Sequence, residues 1–359
     1  QGSDDEATDE LDRLIRESVG LRMISDVPLG AFLSGGIDSS TVVAVMQALS
    51  TRPVKTFTIG FDDAAFDEAE DAKRVAEHLG TDHTELYVRP AEAREVIPRL
   101  ADLYDEPFAD SSQIPTALVS RLARKDVTVS LSGDGGDELF GGYDRYLQGR
   151  SLWNRLGAIP RPLRPLVAGV FKAIPVPAWN ALFSLLPAAM TPGQKGETMH
   201  WLAGNLTGGN FDALYRRLVS TWNDPEILVQ GAAEAASPFW AGDGGPGGGD
   251  GEDVLERMMY LDGVTYLPDD IMAKLDRASM AFGLEAREPL LDHRIFEFAW
   301  RLPENLKFRN GNGKWLLRKV LARYVPPELT ERPKMGFSVP VGDWLRGPLR
   351  DWAEDLLSE

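Results

Sequence analysis

Apolar residues recur at helical spacing over residues 8 to 24, at Leu11, Leu14, Ile15, Val19 and Met23, and predict an amphipathic lead-in helix. A short apolar run, Pro28-Leu-Gly-Ala-Phe-Leu33, reads as a buried strand. It ends in the turn Ser34-Gly-Gly-Ile-Asp-Ser-Ser40, and Thr41 to Leu49 then reads as a helix. Lys55 to Phe61 predicts a second strand, and Asp67 to Leu79 a second helix closed by Gly80. A third strand fits His83 to Val88, and helices fit Ala91 to Leu103 and Gln113 to Arg124. Val127 to Leu131 is a fourth strand, which stops at another glycine-rich turn. Strand and helix alternating with short links is the pattern of a doubly wound parallel α/β sheet.

Beyond about residue 150 the pattern changes to helical segments broken by prolines, with no alternating strands. The chain has 359 residues, more than one core of ~250 to 300 residues comfortably holds. The expected division is therefore an α/β domain over 1–150 and a mostly helical lobe over 151–359 that completes the site. Within that lobe, 236–253 is so rich in glycine that it cannot bury apolar area, and it reads as a flexible loop without chemistry.

Composition narrows the function classes. Net charge is −17, from 55 acidic and 38 basic side chains, so the overall field repels nucleic acid. There is no cysteine, which removes disulfides, thiolate nucleophiles and cysteine-ligated zinc. The four histidines, His78, His83, His200 and His293, are scattered, so a metal is expected to be a hard cation on carboxylates and phosphates. No run of ~18 apolar residues and no signal-like start is present, which fits a soluble cytoplasmic enzyme without a membrane partner.

Two motifs carry the chemistry. Ser34-Gly35-Gly36-Ile37-Asp38-Ser39 lies after a strand and at a helix start, where ligands of open sheets bind. Its glycines let backbone approach a ligand, its amides and the helix start favour an anion, and Asp38 can hold magnesium bridging phosphates. The alternative is a tight turn with Asp38 or Ser39 as a helix cap. The second motif, Ser132-Gly133-Asp134-Gly135-Gly136-Asp137-Glu138, crowds three acids that repel unless a cation or shared proton relieves them. Asp137 is placed to share magnesium with Asp38, and Asp134 to act as a general base; the alternative is an acidic cap on a turn.

The first motif is not a Walker loop and resembles the pyrophosphate loop of N-type ATP pyrophosphatases, which split ATP between its α- and β-phosphates. Taken with the second, the chain resembles the synthetase domain of glutamine-hydrolysing asparagine synthetases. Further stretches carry the resemblance: Phe57 to Phe61; Asp105 to Asp110 with Ser111 and Ser112; Leu267 to Lys274, Arg277 to Met280, Glu285 to Arg287 and Pro289 to Asp292; and Arg332 to Ser338. The resemblance implies the cofactors ATP and Mg2+, with the nucleotide on Phe32, Ser34, Gly35, Gly36, Asp38, Ser39, Ile59, Ser132 and Gly133. It implies Asp38 and Asp137 as metal ligands, Asp134 as the acid that deprotonates ammonia, and Lys334 as the lysine that stabilises charge on adenylate and pyrophosphate. A surface lysine is the plain alternative for Lys334. Lys274, Asp276, Arg277, Glu285 and Arg287 read as an ionic network holding the lobes together, with Arg287 retained as an acceptor-binding candidate.

The implied reaction is adenylation of a small-molecule carboxylate, aspartate first among acceptors, followed by attack of ammonia. Family members begin with a glutaminase domain whose cysteine releases that ammonia; with no cysteine, this chain cannot do so in that way. The chain starts at Gln1 and is expected to be part of a longer polypeptide, with ammonia from the missing domain, a partner or solution. A homodimer is common in the family. Dedicated asparagine synthetases often have glutamate at the position of Asp134 and serine or alanine at Gly136, so a sugar acid or peptide carboxylate stays open as acceptor. A non-catalytic nucleotide-binding module is a third reading, against which Asp38, Asp134, Asp137 and Lys334 stand.

Overall fold

The computed structural model describes residues 2–61, 68–184, 195–206, 210–220, 222, 227, 229, 231, 253–331, 339 and 341–358. Five strands form one sheet in the order β3-β2-β1-β4-β5: β1 Leu29–Phe32, β2 Lys55–Phe61, β3 Asp82–Val88, β4 Val129–Leu131 and β5 Glu285–Arg287. Every pairing is parallel, with Phe32 opposite Phe57 and Ala31 opposite Leu131. The chain winds outward from β1 to β3, then returns to place β4 on the other side of β1. In a doubly wound sheet that reversal opens a crevice at the carboxyl ends of β1 and β4, where ligands bind.

Both faces of the sheet are covered, which the period of two along its strands demands. Ala31, Val129 and Leu131 enter one core together with helix α1 (Asp4–Arg22) and helix α2 (Ile37–Leu49). Phe57, Ile59 and Phe61 enter the other, against α6 (Gln113–Ala123). Between α2 and α6 lie α3 (Ala69–Leu79), α4 (Pro90–Val96) and α5 (Leu100–Tyr104). Leu11, Leu14, Ile15 and Val19 are buried as the 3.6-residue spacing predicts, and a Ser3–Glu6 capping box starts α1 earlier than the apolar pattern alone does.

Three elements differ from the sequence reading. The helix expected over 91–103 is broken into α4, a 3-10 turn at Ile97–Arg99, and α5, because Pro98 lacks an amide proton and disfavours a continuous α-helix. Beyond residue 150 no strand was expected, yet β5 joins the sheet edge beside β4; three residues, two of them charged, are too short to show alternation. The loop expected over 236–253 lies outside the described residues apart from Asp253, the N-cap of α13 (Val254–Leu261).

The chain packs as two compact units that do not follow chain order: Gln1–Gly142 with Thr265–Glu359, and Tyr143–Val264. The late segment belongs with the first unit because β5 completes the sheet, and α17 (Trp315–Leu321) packs against α1 and α2. The described part of the second unit is helical and is organised by buried charge. Arg257, fully buried, donates from Nε and Nη2 to Asp212 of α12 (Phe211–Val219) at 3.0 and 2.7 Å. Asp262, also buried, accepts from Arg145, Tyr146 and Tyr215 at 2.6, 2.7 and 2.8 Å. No single helix among the described residues is long and apolar enough to cross a membrane.

A buried ion pair costs most when one partner is removed, since the survivor keeps its desolvation penalty. Asp212→Ala is expected to destabilise the protein by ~3–5 kcal/mol in urea titration, whereas Asp212→Leu with Arg257→Met recovers most of that loss. Equal losses from the single and double replacements would show that the pair's shape, not its charge, is what matters.

Candidate functional site

The loops after β1 and β4 leave neighbouring parallel strands at the same end and meet. In the first loop, Gly35 is left-handed at φ 73°, and a Cβ there would lie 2.8 Å from the Ala72 amide nitrogen, so the turn requires glycine. The Ser34 and Ser39 hydroxyls are 3.0 Å apart, the Ser34 amide donates to Ser39 Oγ at 3.2 Å, and the Gly36 amide to Ser34 Oγ at 3.3 Å. Gly36 is the N-cap of α2, and no side chain caps that helix, so the capping alternative for Asp38 and Ser39 does not describe this turn. The start of a 13-residue helix with its first amides uncapped by side chains is an anion-binding arrangement. Phe32 ends β1, and Ile59, two residues beyond the Phe57 that pairs with Phe32, lies level with this loop.

In the second loop the backbone itself touches the first. A Cβ on Gly133 would lie 2.6 Å from the Ser39 amide nitrogen and 2.9 Å from the Asp38 carbonyl carbon. Glycine there lets the two motifs approach to van der Waals contact, and α7 (Gly136–Phe140) then carries Asp137 toward Asp38.

The group that joins them is Lys314, which the sequence reading did not single out. Its ammonium reaches Asp137 Oδ1 at 2.8 Å and also binds Asp38 Oδ2. The side chain is only 7% exposed. Burial alone would push the ammonium's pKa down, but Asp137 and Asp38 outweigh it and hold the proton well above the ordinary lysine range. Lys314 is left-handed at φ 58°, unusual for a residue with a Cβ, and its amide donates to the Phe140 carbonyl at 2.9 Å. Backbone strain of this kind gathers at functional sites, and the Gly-Asn-Gly preceding Lys314 was the signal available in the sequence.

Asp134 follows Gly133 and accepts a hydrogen bond from Ser132 Oγ. Burial pushes its carboxyl above the usual carboxylate range, Ser132 and Lys274 pull it back, and Asp137 raises it. Lys274 binds Asp110 Oδ2 at 2.5 Å and Ser112 Oγ at 2.7 Å, and Arg277 reaches Glu106 at 2.9 Å. Burial would raise the Asp110 carboxyl, but Lys274 outweighs it and holds the pKa low. These pairs join residues on either side of the expected boundary at residue 150, and all of them lie in one compact unit. Arg287 donates to the Arg22 and Ile24 carbonyls at 2.7 and 2.9 Å and to Glu285 at 2.6 Å, which commits its guanidinium to the end of α1. Lys334 and the rest of Arg332 to Ser338 lie outside the described residues.

A hard divalent cation suits this donor set. Asp38 and Asp137 already converge on one positive charge, and both offer carboxylate oxygens, the ligands magnesium prefers. Among the described residues no three histidine, cysteine or acidic side chains gather as a full protein cage. Two carboxylates, with phosphate oxygens and water completing the shell, is the usual magnesium arrangement in nucleotide sites.

The family model described as Asparagine synthase matches residues 10–359. The chain is 33% identical over 363 residues to asparagine synthetase [glutamine-hydrolyzing] 1 of Bacillus subtilis (strain 168), covering 100% of this chain and 54% of that protein. It is 36% identical over 346 residues to a putative asparagine synthetase [glutamine-hydrolyzing] of Mycobacterium tuberculosis (strain ATCC 25618 / H37Rv), covering 96% and 50%. It is 25% identical over 405 residues to amidase chry2 of Gibberella zeae (strain ATCC MYA-4620 / CBS 123657 / FGSC 9075 / NRRL 31084 / PH-1), covering 99% and 56%. The chain thus spans about half the length of these curated relatives.

Two variants test the geometry. Gly133→Ala is expected to force the loops apart and lose ~1–3 kcal/mol to overpacking, read by chemical denaturation. A neutral result would mean the loops do not touch. Lys314→Met leaves Asp38 and Asp137 facing each other, so millimolar Mg2+ is expected to raise its melting temperature more than that of the unaltered protein. An equal response in both would count against Asp38 and Asp137 as metal ligands.

Proposed function

The chain belongs to the asparagine synthase family, and from that premise we propose that it is the ATP-using part of a carbon–nitrogen ligase that adenylates a carboxylate and converts it to an amide. The observation that carries this reading is the meeting of the Ser34–Ser39 turn with the Ser132–Asp137 turn at the switch point of the sheet. The first offers amides and a helix start to phosphates, and the second offers acids to a metal and a proton.

An acceptor carboxylate oxygen attacks the α-phosphorus of ATP, the bond to the β-phosphate oxygen breaks, and pyrophosphate leaves. The loop amides and the Ser34 and Ser39 hydroxyls hold the phosphates in line, with Phe32, Ile59, Ser132 and Gly133 beside the nucleoside. Asp38 and Asp137 hold Mg2+, which when bound neutralises phosphate charge. Lys314 supplies positive charge at the same end. Lys334 has the role of stabilising charge on the adenylate and the departing pyrophosphate. Ammonia then attacks the acyl carbon, Asp134 takes a proton from nitrogen, and AMP leaves.

Aspartate is the leading acceptor, supported by the names of the relatives. A different carboxylate, on a sugar acid or peptide, is favoured instead by the Asp134-Gly-Gly-Asp137 form of the second motif and by the relative named an amidase. Ammonia comes from a glutaminase domain or partner, or from solution.

The test is product identity. With ATP, Mg2+, ammonium and a panel of carboxylic acids beginning with aspartate, AMP and pyrophosphate are expected in equal amounts with one amide. Lys334→Ala is expected to slow pyrophosphate release by at least ~100-fold, the scale of losing one charge-stabilising group. Formation of ADP and orthophosphate would sink the adenylation reading; an amide of another acid would replace aspartate alone.

A further inference from the structure

A second carboxylate reaches the nitrogen-handling end of the site. β5 runs parallel to β4 with Arg287 opposite Leu131, and the Ser132 amide donates to the Arg287 carbonyl at 2.9 Å. That bond carries the next residue, Glu288, alongside the turn that holds Asp134. On its far side Pro289–Leu291 folds into one 3-10 turn that packs on the same loop. A Cβ on Gly136 would lie 3.1 Å from Leu290 Cδ1, and one on Gly135 would overlap the Leu291 side chain. The backbone is therefore pinned to the second motif both before and after Glu288.

The charges whose fields reach Glu288 are those of Asp134 from the second loop, Arg22 from α1 and Asp276 from α14 (Ala273–Met280). Arg22 is engaged by Asp292 at 3.0 Å and by Ser18 Oγ at 2.9 Å. Among the described residues Glu288 has no basic side chain within ion-pair distance. A half-buried carboxyl under the field of another acid costs stability, and such groups gather at functional sites.

We propose that Glu288 is a positioning residue for amide formation, receiving from Asp134 the proton that Asp134 removes from the incoming amine. This rests on the reaction proposed above. The nitrogen lone pair forms the C–N bond to the acyl carbon, and the adduct passes one N–H proton to the Asp134 carboxylate. The bond from carbon to the phosphate oxygen of AMP breaks, and AMP leaves with the electron pair. The proton moves from Asp134 to Glu288 and then to solvent, so acyl-adenylate and ammonia give amide, AMP and one proton, with no redox partner needed. Burial, then the Asp134 charge, pushes the Glu288 carboxyl up to about 7, where it can both accept and release a proton near neutrality.

The experiment compares the unaltered chain with Glu288→Gln and Glu288→Asp, using the acceptor that gives amide in the panel. Acceptor-dependent ATP–pyrophosphate exchange, which needs no amine, reads adenylation; amide release at constant free ammonia, from about pH 6 to about pH 9, reads the second half. Glu288→Gln is expected to leave exchange within about twofold, to slow amide release ~10- to 100-fold, and to lose the acidic limb near neutrality. Glu288→Asp is expected to restore a displaced acidic limb, which keeps the inference testable should the glutamine variant fold poorly. Equal loss of exchange and amide release, or an unchanged acidic limb in both variants, overturns the role of Glu288 while leaving adenylation intact. No exchange by the unaltered chain with any acceptor overturns the functional reading, and the inference with it.

Discussion

Two carboxylates from different loops cannot be brought to one end of a sheet without a compensating cation, and Lys314 is that cation in this protein. Its position explains an otherwise costly set of choices. The lysine is buried, its backbone is left-handed, and Gly142 beside it leaves no room for a side chain. Each choice is unfavourable alone. Together they hold a compact positive charge between Asp38 and Asp137, so the two loops keep their spacing at the carboxyl end of the sheet.

The sheet supplies the rest of the constraint. Parallel neighbours β1 and β4 end at the same level, and the glycines of both loops let backbone meet backbone where side chains would hold the strands' ends apart. Charges at such a site are presented by short turns and first helical turns, which cannot shift without moving buried strands. This rigidity is what electrostatic stabilisation of a phosphoryl transition state requires, since the dipoles are in place before the reaction begins.

The parts of this arrangement legible in the sequence are those whose local chemistry is unusual. Ser34-Gly35-Gly36 and Gly133-Asp134-Gly135 stand out because closely spaced glycines between a strand and a helix have few purposes, and β1, β2 and β4 show as apolar or alternating runs. What was hidden depends on partners far along the chain. Glu285–Arg287 is a strand only because β4 offers a free edge, and its three residues carry no period. Lys314 is one lysine among many until the fold brings it to residues 276 and 177 positions earlier. The network around Lys274 was legible as charge, but its partners were not: Asp110 and Ser112 answer it from within the same unit. The helical unit hides its logic the same way, since Arg257 and Asp212 are ordinary charges in sequence and a fully buried pair in space.

In the reaction proposed above, two opposed electrostatic demands meet within the six residues from Ser132 to Asp137. Phosphates need positive charge, whereas an amine losing a proton needs a negative acceptor, and one unshielded potential cannot serve both. Asp137 raises the pKa of Asp134, so without a compensating cation it would favour the protonated form of Asp134 further. The ammonium of Lys314 sits directly on Asp137 and offsets part of its charge, while Glu288 follows β5, the strand beside β4. The cation is thus shared between Asp38 and Asp137, while the affinity of Asp134 for a proton is set first by burial, then by Ser132, Lys274 and Asp137. The charge between the two carboxylates comes from Lys314, the left-handed residue that precedes α17 and lies 177 positions after Asp137, outside either loop.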